Sequence, residues 1–66
     1  MQINVNGKPA EVKETNLCNI LKELGYYDAK VATAVNEVFV PTAERSKLRL
    51  SAGDRLEIVA PQPVSY

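Results

Sequence analysis

The last fourteen residues constrain the fold of this chain most. Gly53-Asp54 predicts a turn, the apolar run 56–60 predicts a short strand, and six residues, 61–66, follow it. A chain that closes on a strand and a short tail is arranged to present its C-terminus. We therefore expect one domain over residues 1–60 and an extended tail over 61–66, where two prolines favour extended backbone.

Length and composition exclude several classes of protein. A chain of 66 residues can bury one small core, and eight Lys plus Arg against eight Asp plus Glu leave no net charge to attract nucleic acid. A single cysteine excludes an intrachain disulfide, which favours the cytoplasm. No run approaches the roughly 20 apolar residues that span a bilayer. We expect a cytoplasmic monomer with no nucleic-acid or membrane partner.

The first strands form a predicted hairpin. Apolar and polar residues alternate in 3–5 and again in 10–12, and Asn6-Gly7 between them suits a two-residue type I′ turn. Pro9 cannot donate a ladder hydrogen bond. The second strand is therefore predicted at an edge of the sheet.

A short helix follows. Four apolar residues recur at helical spacing, and they are Leu17, Ile20, Leu21 and Leu24. Either Thr15 or Asn16 can cap its start, and Gly25 can end it. A helix of about nine residues is marginal alone, so it must be held by packing on the sheet.

A second pair of strands is predicted at 31–35 and 38–40. The turn between them is Asn36-Glu37, and a type I′ turn needs positive φ at both positions, which Asn tolerates and Glu does not. This turn is therefore predicted to be strained or longer than two residues. Beyond it, residues 42–47 suggest an irregular polar segment and residues 48–50 a brief strand.

The order of these elements predicts an α+β domain: a mixed sheet of four to five strands with one main helix packed on one face. The final strand is short and apolar. We expect it beside the first strand at the centre of the sheet, with Leu56 and Ile58 facing the helix.

Three segments carry a resemblance to a known family. They are Val-Ala-Thr-Ala-Val-Asn at 31–36, Phe-Val-Pro at 39–41 and Gly-Asp-Arg-Leu-Glu-Ile-Val-Ala-Pro at 53–61. With the order of elements over residues 1–61, they closely resemble the ThiS family, the ubiquitin-like β-grasp sulfur carriers of thiamine biosynthesis. The small subunit of molybdopterin synthase shares that fold and is the nearest alternative.

The resemblance implies a protein substrate without a cofactor of its own, rather than an enzyme. In the family, an E1-like adenylyltransferase (ThiF-like) adenylates a terminal Gly-Gly with ATP, a sulfur donor converts it to a thiocarboxylate, and thiazole synthase (ThiG-like) receives the sulfur. A glycine tail has no side chains and can thread a narrow channel.

The tail departs from this pattern. Its carrier end is Pro61, Gln62, Pro63, Val64, Ser65 and Tyr66, and the glycines of the chain are Gly7, Gly25 and Gly53. No acceptor glycine can be assigned, so this chain is predicted not to carry sulfur with that end. The alternative is a non-catalytic module that binds or regulates a partner.

A partner-binding surface is predicted beside the tail. If alternate residues of the strands face the helix, Phe39 and Val59 point to the uncovered side of the sheet and adjoin Ala60. The competing interpretation packs Phe39 into the core. An exposed pair is the natural docking surface for the adenylyltransferase or the synthase.

We assign no catalytic or metal-binding residue. Cys18 lies beside the buried stripe of the helix, and the chain has no histidine to activate it, so a structural thiol is favoured over a nucleophile. The carboxylates are spread along the chain without metal-ligand spacing. They are interpreted as solvated surface.

Overall fold

The computed structural model describes residues 1–26 and 30–59. In this part of the chain, the strands are β1 (Gln2–Val5), β2 (Lys8–Glu11), β3 (Ala32–Val35), β4 (Val38–Val40) and β5 (Arg55–Val59). The α-helix, α1, is Leu17–Glu23, and a 3-10 helix occupies Thr42–Lys47. The predicted α+β fold, a mixed sheet with one main helix, is confirmed.

The first hairpin has the predicted two-residue turn. Val5 pairs with Lys8, and the two residues between them both have positive φ, 52° at Asn6 and 84° at Gly7. Both values suit a type I′ turn. β2 is an edge strand, as the proline at position 9 predicts.

The helix begins at an asparagine cap. The Asn16 side chain accepts a hydrogen bond from the Asn19 N–H at 3.3 Å, so Asn16 rather than Thr15 is the N-cap. The Asn16 amide also donates to the Ser46 carbonyl, which ties the start of α1 to the 3-10 helix. Leu17, Ile20 and Leu21 are buried, as their spacing predicts.

The helix is stopped by Gly25, which follows the C-cap Leu24 and has φ of +94°. The Gly25 N–H donates to the Lys22 carbonyl at 3.1 Å, and the Tyr26 N–H donates to the Leu21 carbonyl at 2.8 Å. These two bonds form a Schellman motif, which satisfies the last carbonyls of the helix. Tyr26 is half-buried against the core, whereas Tyr27 lies outside the described residues.

The second hairpin also has a two-residue turn. Val35 pairs with Val38, and φ is 50° at Asn36 and 72° at Glu37. Of the two predicted outcomes, strain rather than a longer loop is therefore the one observed. A non-glycine residue in this left-handed region costs about 1–2 kcal/mol.

The final strand lies at the centre of the sheet, as predicted. The order is β2-β1-β5-β3-β4, and β5 runs parallel to β1 and antiparallel to β3. Leu56 and Ile58 are buried on the helix side. The core residues that they join are Ile3, Val12, Leu17, Ile20, Leu21, Val31, Val40 and Leu50.

Residues 42–50 differ from the prediction. The supposed irregular segment is the 3-10 helix, which starts after Pro41 with a hydrogen bond from the Glu44 N–H to the Pro41 carbonyl at 2.9 Å. The supposed strand at 48–50 is an isolated bridge between Asn16 and Arg49. The Leu48 carbonyl accepts from the Leu17 N–H and the Leu50 N–H donates to the Thr15 carbonyl. Residues 48–50 therefore pair with the start of α1 and do not extend the sheet.

Candidate functional site

An apolar patch covers the open face of the sheet at its β3–β4 end. Ala34 pairs with Phe39, and Ala32 pairs with Val59, so these four residues point to the same side. Phe39 is 65% exposed and Val59 is 63% exposed. The competing interpretation, in which Phe39 packs inward, is wrong. We call Ala32, Ala34, Phe39 and Val59 the open-face patch.

Alternation along β4 explains which side chains belong to this patch. Val38 is 66% exposed, as open to solvent as Phe39, but it pairs with Val35 and so projects on the helix side. Val40 also points to the helix side and is buried. Exposure alone therefore does not identify the patch, because one of two adjacent exposed residues lies on the other face.

The other half of the open face is polar. Paired residues of β1 and β2 on this side are Gln2 with Glu11 and Asn4 with Pro9, and Arg55 pairs with Asn4 across the β1–β5 ladder. The open-face patch is thus bordered by polar side chains along one side. An apolar centre with a polar border is typical of a protein-docking surface.

A shallow hollow of about 270 Å³ adjoins Phe39 where β4 gives way to the 3-10 helix. Its lining residues are Phe39, Val40, Pro41, Glu44, Lys47 and Leu48. Glu44 and Lys47 are exposed and lie 3.9 Å apart, so the charged groups sit at the border of an apolar wall. The hollow extends the open-face patch around the edge of the sheet.

Arg45 holds the 3-10 helix in place beside this hollow. Its Nε donates to the Thr33 Oγ1 at 3.1 Å, and its Nη2 donates to the Val31 carbonyl. Thr33, which is buried, donates in turn to the Val40 carbonyl at 3.1 Å. This chain of hydrogen bonds links the 3-10 helix, β3 and β4, and it fixes one border of the hollow.

The predicted tail follows the open-face patch closely in sequence. Val59 belongs to the patch and is also the last residue of β5. Ala60 and the tail residues Pro61 to Tyr66 lie outside the described residues, so their roles stay predictions. Sequence reasoning identified Phe39 and Val59 but missed Ala32 and Ala34, although the alternation of β3 carries that signal.

The other candidate groups do not converge. Cys18 is a half-buried free thiol in the first turn of α1. Within residues 1–26 and 30–59, no three His, Cys, Asp or Glu side chains are placed to hold a metal ion. No helix in this same part of the chain is long and apolar enough to cross a membrane.

Known structures share this fold. The crystal structure of the thiamine biosynthesis protein ThiS from Geobacter metallireducens has a TM-score of 0.83 and 23% identity, covering 98% of this chain and 100% of its own. The solution structure of a thiamine biosynthesis protein from the same organism has a TM-score of 0.83 and 21% identity, covering 100% of this chain and 90% of its own. At such identities the likeness establishes the β-grasp fold.

Sequence comparison identifies the family. No curated protein matches the sequence. The model of the ThiS family matches residues 3–62, which include the open-face patch and all of the described strands and helices except Gln2, the first residue of β1. The chain therefore belongs to the ThiS family.

Proposed function

We propose that this chain is a sulfur carrier protein of thiamine (thiazole) biosynthesis, acting as a protein substrate rather than an enzyme. The observation that supports this most is the position of β5. The strand that leads into the tail is central in the sheet, held by neighbours on both sides, and ends within the open-face patch. A partner that docks on the patch would meet the start of the tail.

The partners follow from the family. An E1-like, ThiF-like adenylyltransferase would join AMP from ATP to the terminal carboxylate and release pyrophosphate. A sulfur donor would then displace AMP and leave a thiocarboxylate, which a ThiG-like thiazole synthase would consume. ATP and these enzymes would be met in the cytoplasm, where we place the chain as a monomer.

The role of Phe39, Val59 and Ala60 in this scheme is docking. Large exposed apolar side chains bordered by polar ones are the usual anchors of protein interfaces. The hollow beside Phe39 provides a concave continuation, with Glu44 and Lys47 at its border. The body can therefore be recognised independently of the chemistry at the tail.

The composition of the tail decides whether this chain can become a thiocarboxylate. Residues 61–66 contain no glycine, and Val64 and Tyr66 carry side chains that a channel shaped for glycine would obstruct. We propose that a chain ending at Tyr66 binds these partners without becoming a thiocarboxylate. A chain in which Gly-Gly follows Gln62 directly would become one.

Mass spectrometry tests this proposal. Both chains are incubated with the adenylyltransferase, ATP and a sulfur donor, and intact masses are measured. An oxygen-for-sulfur mass gain in the Gly-Gly chain alone is expected. If the Gly-Gly chain is not modified although the enzyme modifies its own carrier, the proposed function is wrong.

The second candidate function is a binding or regulatory module, which the tail composition together with the open-face patch favours. It predicts that the chain ending at Tyr66 competes with an active carrier for the adenylyltransferase or the synthase. A third possibility, a carrier like the small subunit of molybdopterin synthase, predicts sulfur transfer to that enzyme instead. Side-by-side transfer assays with both acceptor enzymes distinguish the two pathways.

A further inference from the structure

The end of β5 extends beyond its neighbour β1. The Asn4 N–H donates to the Asp54 carbonyl and the Asn6 N–H donates to the Leu56 carbonyl, both at 2.9 Å, so this side of β5 is paired up to Leu56. The next backbone groups on the same side belong to Ile58. β1 ends at Val5, and the chain turns away through Asn6-Gly7, so no main chain of β1 faces Ile58.

The side chain of Asn6 takes the place of the missing strand residue. Its Oδ1 accepts a hydrogen bond from the Ile58 N–H at 2.8 Å, and its Nδ2 donates to the Ile58 carbonyl at 3.2 Å. A carboxamide carries the same donor and acceptor as a peptide group. The ladder between β1 and β5 is thereby extended by one step through a side chain.

We infer that Asn6 is the positioning residue for Ile58 and Val59, the end of β5, which we call the root of the C-terminal tail. On its other side, β5 pairs with β3 as far as Val59 with Ala32. The Asn6 side chain thus holds Ile58 on one side of β5, and β3 pairs with Ile58 and Val59 on the other. Val59 is the last residue of β5 and precedes the predicted tail at 61–66 by two positions, so the Asn6 contacts fix the strand end from which the chain continues to the tail.

This inference deepens the proposed function and rests on it for its consequence. A carrier end works only if it reaches the nucleotide of an enzyme that has docked on the open-face patch. Ordering the residues before the tail in the free protein lowers the entropy that is lost when the end is placed. Without the Asn6 contacts, ordered backbone on the β1 side would end at Leu56.

Asn36 provides a matched control. It holds the same position in the second hairpin, with φ of 50° against 52° at Asn6, and its Oδ1 accepts from the Arg55 N–H at 3.0 Å. It therefore holds the start of β5, while Asn6 holds the end. Glycine tolerates the positive φ of both sites, so Asn6→Gly and Asn36→Gly each remove the side-chain contacts and keep the turn.

Hydrogen exchange measures the contact directly. In Asn6→Gly we expect the Ile58 amide to exchange about tenfold faster, corrected for the global stability of each variant. In Asn36→Gly the Arg55 amide is expected to change instead, with Ile58 unaffected. Asn6→Asp keeps the acceptor for the Ile58 N–H and loses the donor, so it should restore part of the protection.

Adenylation kinetics measure the consequence. In the chain with Gly-Gly after Gln62, we expect Asn6→Gly to lower kcat/KM with the adenylyltransferase about three- to tenfold while affinity for the open-face patch is unchanged. Asn36→Gly should leave kcat/KM within about twofold of the parent, because its contact lies at the far end of β5.

These experiments can disprove the role of Asn6 and the proposed function independently of each other. Unchanged Ile58 exchange in Asn6→Gly overturns the inference, whatever the enzyme does. Faster exchange with equal kcat/KM in Asn6→Gly and Asn36→Gly reduces Asn6 to a structural role and also overturns it. If the parent Gly-Gly chain is not adenylated at all, the proposed function fails, and the exchange data alone decide whether Asn6 orders the root of the tail.

Discussion

The two hairpins have nearly the same turn backbone, but the side chains of their edge strands differ in polarity. Each has a two-residue turn led by an asparagine with positive φ, and each asparagine side chain bonds to the backbone of β5. They differ at the second turn position, which is Gly7 in one and Glu37 in the other. They differ also in the edge strand, because β2 carries Lys8 and Pro9 where β4 is entirely apolar.

This difference indicates that the two hairpins have different roles. Lysine and proline on an edge strand discourage association with other proteins, and β2 has both. β4 exposes Val38 and Phe39 without such protection. The first hairpin therefore serves the sheet and the root of the tail, while the second carries most of the proposed docking surface.

The largest effect is expected at Phe39. Phe39→Ala should weaken binding to the adenylyltransferase or the synthase by about thirtyfold, since aromatic anchors near the centre of an interface contribute about 2 kcal/mol or more. Val38→Ala is the matched control, as its side chain is equally exposed on the other face. Calorimetric titration of both variants measures the difference. Equal losses would show that the faces of β4 do not differ in function.

A glutamate introduced into the first turn should destabilise the fold. Gly7 has φ of 84° and open space around its absent Cβ, so Gly7→Glu adds backbone strain without a steric clash. We expect a loss of about 1–2 kcal/mol in the free energy of unfolding, measured by urea denaturation. An unchanged midpoint would mean that the turns tolerate glutamate equally.

The reverse exchange in the second turn should stabilise the fold. Glu37 has φ of 72°, and Glu37→Gly removes that strain at the expense of greater freedom in the unfolded chain. The expected gain is about 0.5–1 kcal/mol, or a rise of a few degrees in Tm. A lower Tm in Glu37→Gly would contradict the assignment of strain to this turn.

The smallest effect is expected from the charge of Glu37. Its carboxylate lies 3.6 Å from the Arg55 guanidinium, and both side chains are largely exposed. Glu37→Gln keeps the strain and removes the ion pair, so stability should fall by less than about 0.5 kcal/mol, and the difference should vanish at high salt. A loss above 1 kcal/mol, seen in denaturation at low salt, would show that the ion pair rather than the turn conformation dominates the contribution of Glu37 to stability.

Local rules predicted most of the fold. Alternation and turn residues located both hairpins, and a capping asparagine and a glycine bounded the helix, which has seven residues where about nine were predicted. The prediction failed at 42–50, where polar residues after Pro41 form a 3-10 helix and the next residues bond to the start of α1. Those partners lie about thirty residues away in sequence, as in the contact of Asn16 with Ser46. No local pattern encodes them.

Local sequence patterns were enough to predict β1 to β5 and both hairpin turns approximately, because backbone preferences and side-chain alternation act over a few residues. The same alternation predicted a common open face for Phe39 and Val59 but left open the alternative that Phe39 packs into the core. The tertiary structure was needed to show that Asn6 bonds to Ile58, 52 residues away, and that Phe39 rather than Val38 lies on the open face. Such contacts depend on which strands become neighbours, which is settled by the packing of the whole core.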